Sequence, residues 1–196
     1  MSEITNTQTT HVKAVVYDLP SENLRDIPND DVRDMIRSVR VYSVQLLHSL
    51  GVQCTESVIL VPPRNVERIS EVVDKVHRLY EQLREQLRSH NYVLRPEPII
   101  RVLDLTRDQT EALVSIARRH LITSLDSAIA RVSELLEALN EITEQSRLRR
   151  ARANLRRLKN EWNRLLTCAT QLGIDISRDY EYLIELIDNA VQQTMR

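Results

Sequence analysis

From Thr106 to Leu172 the chain runs sixty-seven positions without a glycine or a proline, and Leu, Ala, Glu and Arg dominate the run. These are strong helix formers, and nothing in the stretch forces a break. It reads as one very long helix or as two abutting ones. Two apolar seams lie within it. Leu121, Leu125, Ala128, Val132, Leu135, Leu139 and Ile142 form the first, and Leu148, Ala151, Leu155, Leu158, Trp162, Leu165, Ala169 and Leu172 the second. At about 100° per residue, Leu139 and Leu148 point in opposite directions, so a continuous helix must serve two different partners. The alternative is a hairpin turn within 140–146. Charge favours continuity. Glu134, Glu137, Glu141 and Glu144 precede the junction and Arg147, Arg149, Arg150 and Arg152 follow it, and a break there sets each sign at the wrong end of a helix dipole, at about 0.3–1 kcal/mol per exposed group. The expectation is an uninterrupted helix on the order of 100 Å long.

The ends of this run carry recognisable signals. Thr106 followed by Gln109 is a capping box. Gly173 stands where a left-handed residue closes a helix, with Ile174 placed for the accompanying apolar contact. Ser177 is then expected to cap a last helix with Tyr180, Leu183, Ile184, Ile187 and Val191 on its apolar face. The short connection implies an antiparallel pair in which acidic Asp179, Glu181, Glu185 and Asp188 cover roughly residues 154–172.

The first hundred residues have a different texture. Residues 1–10 are polar and read as a flexible arm. Val12–Tyr17, Ser57–Val61 and Ile99–Leu103 are short β-branched or apolar runs that read as strands. Between them Asn29 is placed to cap a helix with Val32, Met35, Ile36, Val39, Tyr42, Leu46, Leu47 and Leu50 on one face, closed by Gly51. A second helix is expected straight after Pro63, with Val66, Ile69, Val73, Val76, Tyr80, Leu83 and Leu87 as a heptad seam that can pair within the chain or between chains, and Asn91 at its end. The expected fold is mainly α: a helical bundle with a long coiled-coil-like helix or helical hairpin, plus a small β element of two or three short strands. Its divisions are an arm at 1–10, an α+β region at 11–105 and a helical region at 106–196.

Composition removes several function classes. Gly51 and Gly173 are the only glycines, whereas a phosphate-binding loop or a dinucleotide turn needs at least two close together. Cys54 and Cys168 have no metal-ligand spacing and read as buried thiols of a reducing compartment. His11, His48, His77, His90 and His120 form no paired ligand motif. Glu67 with Glu71 and Glu81 with Glu85 fall on solvated helix faces beside arginines. No catalytic residue, cofactor or metal is therefore expected. No apolar run approaches the roughly 18 residues of a membrane span, and the start has no secretory pattern, so the expected location is the cytoplasm or a particle.

One local departure from neutrality stands out, since the whole chain has a formal net charge of -1. Residues 147–164 hold eight cations against the single Glu161. Arg147, Arg149, Arg150, Arg152, Arg156 and Arg157 are the candidate binding residues, because guanidinium forks match phosphate or carboxylate oxygens. The same density on a solvated coiled-coil flank would pair with glutamates of a neighbouring subunit, and Trp162, on the seam, reads as core.

Asp31, Arg33, Ile36, Arg37, Ser38, Val39 and Arg40, then Leu50-Gly51-Val52 and Val58-Ile59-Leu60-Val61-Pro62 ahead of an amphipathic helix, resemble an uncharacterised helical family encoded beside MoxR-type AAA+ ATPases. That resemblance implies an AAA+ ATPase as a partner and no catalytic signature. The residues themselves point first to a non-enzymatic, self-associating helical scaffold or adaptor, a homo-oligomer built on the clean seams. The competing expectation is a nucleic-acid-coating structural protein that grips phosphates through the arginine-rich helix.

Overall fold

The computed structural model describes residues 11–20, 27, 29–94, 97–139 and 144–195. Among them the order is β1 (Lys13–Asp18), α1 (Asp30–His48), β2 (Val52–Thr55), β3 (Val58–Val61), α2 (Arg68–Ser89), β4 (Ile99–Asp104), α3 (Arg107–Leu139), α4 (Gln145–Gln171) and α5 (Ser177–Gln193). The architecture is mainly α with a small antiparallel sheet of order β2-β3-β1-β4. Two compact units divide the chain, Met1–Leu113 and Val114–Arg196, with the boundary inside α3. The arm expected at 1–10 lies outside the described residues.

In the first unit α1 and α2 pack over one sheet face. Val15, Tyr17, Ile59 and Val61 from the sheet join Val32, Ile36 and Leu47 of α1 and Ile69, Val72, Val76, Tyr80, Leu83 and Leu87 of α2 in a single buried cluster. The seam of α2 is thus consumed inside the chain, with Val72 taking the buried place expected for Val73. Ala14, Val52, Cys54 and Leu60 are buried on the opposite face, where the Cys54 thiol reaches the Leu113 carbonyl at 3.7 Å. Asn29 caps α1 as expected, its Oδ1 accepting from the Asp31 and Val32 N–H groups at 2.9 and 3.3 Å. Tyr42 is not core: it is exposed, with the Lys75 Nζ 5.7 Å from its ring centroid.

Three details of this unit depart from the sequence reading. The sheet has four strands rather than two or three, because Val52–Thr55 turns back through Glu56 and Ser57 and pairs with β3. Gly51 does not close α1 in a left-handed conformation; Ser49 caps that helix with φ -67°. Glycine is required at 51 for space, since a Cβ there would stand 2.0 Å from the Leu60 carbonyl oxygen. Finally, a 3₁₀ turn at Pro63–Asn65 precedes α2, which starts at Arg68. Its far end closes on Asn91 at φ 56°, with the Tyr92 N–H donating to Leu87 O at 3.0 Å, the two marks of a Schellman cap.

The second unit corrects the largest expectation. The helix is interrupted: α3 ends at Leu139, and Glu144, at φ -78° and ψ 116°, is extended ahead of α4. The reason is one of magnitude. Leu139 and Leu148 are both buried, and burying a leucine is worth about 1.5–3 kcal/mol, more than the dipole terms of exposed charges, which the Arg147–Glu144 ion pair at 2.8 Å reduces further. Leu121, Leu125, Ala128 and Val132 of α3, Leu155, Trp162 and Ala169 of α4, and Leu183, Ile187 and Ala190 of α5 complete the buried stripes. At the other end of α4, Gly173 has φ 71° and the Ile174 N–H donates to Ala169 O at 2.9 Å, the expected Schellman closure. Ser177 does not cap α5. It donates from both N and Oγ to Asp175 Oδ1, at 3.0 and 2.8 Å, and these bonds, with Arg118 nearby, hold the Asp175 carboxyl below its ordinary range.

Candidate nucleic-acid interface

α4 buries Leu148, Leu155, Trp162 and Ala169 at intervals of seven residues, a strict heptad that fixes which way every other side chain of the helix points. α5 lies antiparallel along one flank of that line. Three polar links mark its path: Arg152 to Thr194, Lys159 to Asp188 and Asn163 to Tyr180. The Lys159 ammonium meets both carboxylate oxygens of Asp188, at 2.6 and 2.8 Å.

These links sort the six candidate arginines. Arg152 is half-buried, and its guanidinium donates to Thr194 Oγ1 at 3.0 Å and also to the Thr194 carbonyl. It therefore satisfies the C-terminal end of α5, where carbonyls lack partners and a cation is favoured. α5 reaches two residues further along α4 than the span of 154–172 estimated from length. Arg147 is exposed but engaged with Glu144 across the start of α4. Arg149, Arg150, Arg156 and Arg157 remain. All four are exposed, and among the described residues no carboxylate forms an ion pair with any of them.

The four form a regular figure. By helix geometry they fall within about 120° of arc on the side away from the buried line. The pair Arg149 and Arg150 is separated from Arg156 and Arg157 by about 10 Å along the axis. Guanidiniums so arranged present two forked donor sets to oxygens spaced along a polyanion. The helix beneath is held by its own buried heptad, so the array is preorganised. The sequence supplied the density of arginines; α5's reach, which sets aside Arg152, follows only from where the last helix docks.

Tyr17 is buried, its hydroxyl donates to the Glu56 carbonyl at 2.7 Å, and it lies 3.0 Å from His48 Nε2. Because the single phenolic proton is committed to that carbonyl, Nε2 must carry the proton of the second bond. This fixes the imidazole tautomer and ties the end of α1 to the β2–β3 turn. Burial raises the Tyr17 hydroxyl, and pushes the Cys54 thiol up to about 11 and the Tyr80 hydroxyl up to about 12. Cys54 is held as a thiol, the unreactive form, and Cys168 is likewise a buried thiol. Among the described residues no three His, Cys, Asp or Glu side chains converge as metal ligands, and no helix is long and apolar enough to cross a membrane. No family model, curated protein or solved structure matches this chain.

Proposed function

We propose that this chain is a non-enzymatic nucleic-acid-binding protein that lays α4 against the phosphate backbone of a duplex. The observation that carries the reading is the exposed quartet Arg149, Arg150, Arg156 and Arg157, without an acidic partner among the described residues, on one face of a helix whose opposite face is locked in a core. A separation of about 10 Å between the two pairs is comparable to the width of a major groove, about 12 Å, so phosphates of both walls come within reach of long side chains. The contact is to backbone, and binding is expected to be independent of sequence.

The self-associating scaffold reading drew on the seams of α2 and of the long helical stretch. Most of the α2 seam and Leu121, Leu125, Ala128, Val132, Leu139, Leu148, Leu155, Trp162 and Ala169 of the later seams are buried within the chain's own two units, while Ile142 lies outside the described residues, so the seams argue less strongly for a second copy. The quartet, by contrast, forms no ion pair with a carboxylate among the described residues.

Four neutralised phosphates give a salt slope of about -3.6, so affinity for a mixed-sequence duplex is expected to fall on the order of a hundredfold between 50 and 200 mM salt. Replacing Arg149, Arg150, Arg156 and Arg157 by Gln is expected to abolish retention and flatten that slope, with the fold preserved by circular dichroism. Unchanged duplex binding by this variant would overturn the proposal, as would tight binding insensitive to salt.

A further inference from the structure

We infer that the duplex taken by α4 is B-form DNA, entered through its major groove, and that double-stranded RNA is rejected. This rests on the nucleic-acid reading and deepens it by naming the form of the ligand.

The arginine quartet has an alanine at its centre. Ala153 lies three residues from Arg150 and Arg156 and four from Arg149 and Arg157. By helix geometry it is therefore the midpoint of the figure, both along the axis and around it. It is exposed, on the side away from the buried line through Leu148, Leu155 and Trp162. Ser146 and Asn160, seven residues to either side on the same line, are also exposed and short. Arginine carries its guanidinium well beyond Cβ, where alanine ends. The surface is thus a low centre between four tall cationic corners.

Such a surface discriminates between forms of nucleic acid. The B-form major groove, about 12 Å wide and about 8.5 Å deep, admits an α-helix. Ala153 lets the backbone of α4 settle over the floor of that groove while the two arginine pairs, about 10 Å apart, reach phosphates on its walls. A long side chain at 153 would hold the helix off and leave the forks short of the walls. A-form RNA offers no equivalent, because its major groove is deep and narrow and its minor groove wide and shallow. α4 cannot follow the first: α5 lies along its flank, tied through Arg152, Lys159 and Asn163, and thickens the element that would have to enter. In the second the walls are low, and fewer phosphates come within reach of the four corners. Single strands fit no better. Between 145 and 164 the only aromatic residue, Trp162, is buried, so unpaired bases find no stacking platform.

The full chain is titrated at one salt concentration with DNA and RNA duplexes of matched mixed sequence, and DNA is expected to bind at least about tenfold tighter. DNA in which every cytosine carries a glucosylated 5-hydroxymethyl group, which fills the major groove, is expected to lose about tenfold, whereas netropsin in the minor groove leaves affinity within about twofold. Ala153→Leu keeps the charge and a strong helix former. It is expected to weaken DNA binding about fivefold, with circular dichroism unchanged and no loss on RNA. RNA bound as tightly as DNA, full affinity for the filled-groove DNA, or an Ala153→Leu variant unweakened on DNA overturns this inference alone, since the quartet would still hold phosphates. Retention of neither duplex overturns it together with the nucleic-acid reading.

Discussion

The two glycines of this chain do opposite jobs, and substitution separates them. Gly173 has φ 71° and open space around its Cα, so Gly173→Ala incurs only the left-handed backbone cost of about 1–2 kcal/mol. At Gly51 the new methyl meets the Leu60 carbonyl, a backbone group of β3 that cannot swing aside, and a loss of about 3 kcal/mol or more is expected. Urea unfolding of the two variants checks the ranking. Asn91, at φ 56°, is the reverse case: Asn91→Gly is expected to stabilise by several tenths of a kcal/mol. Cys54 carries a pH signature. Its folded thiol is pushed up to about 11 by burial, so the unfolded chain ionises first. Its stabilisation is whole below pH about 9 and is lost as pH climbs through about 11. Urea midpoints across that window are expected to fall less steeply in Cys54→Ala than in the native chain.

At the scale of elements, much of the fold was legible. The cap at Asn29, the capping box at Thr106 and the closures at Asn91 and Gly173 are local chemistry, readable from a few neighbouring residues. β2 is hard to see in the sequence because Gly51, the residue before it, equally suits a helix end, and the Glu56–Ser57 turn has no glycine or asparagine to announce a hairpin. The break between α3 and α4 runs against the surface charge, which favours continuity, because the burial of Leu139 and Leu148 outweighs it. The arginine face was legible as a density, but its membership depends on a tertiary fact, the docking of α5 as far as Arg152. This distinction is measurable. Arg152→Ala removes the donor from the end of α5 and is expected to cost about 1–2 kcal/mol. Arg147→Ala loses one exposed i,i+3 pair and is expected to change stability by less than about 0.5 kcal/mol.

For the whole molecule, the division into two compact units, each with its own core, gives each a native reporter. Trp162 is the only tryptophan and is buried in the second unit, while Cys54 is buried in the first. Leu155→Ala is expected to lower the urea midpoint of Trp162 fluorescence, in line with about 2–5 kcal/mol for a buried leucine, and to leave the midpoint for Cys54 labelling near its native value. The two edges of the sheet, β2 and β4, are not equivalent. A further strand would meet six residues in unbroken register at β4 and four residues with a register shift at β2, so the two ends of the sheet are unequal as sites of growth. The irregularity between Gln53 and Thr55 makes the β2 edge the poorer template for a further strand.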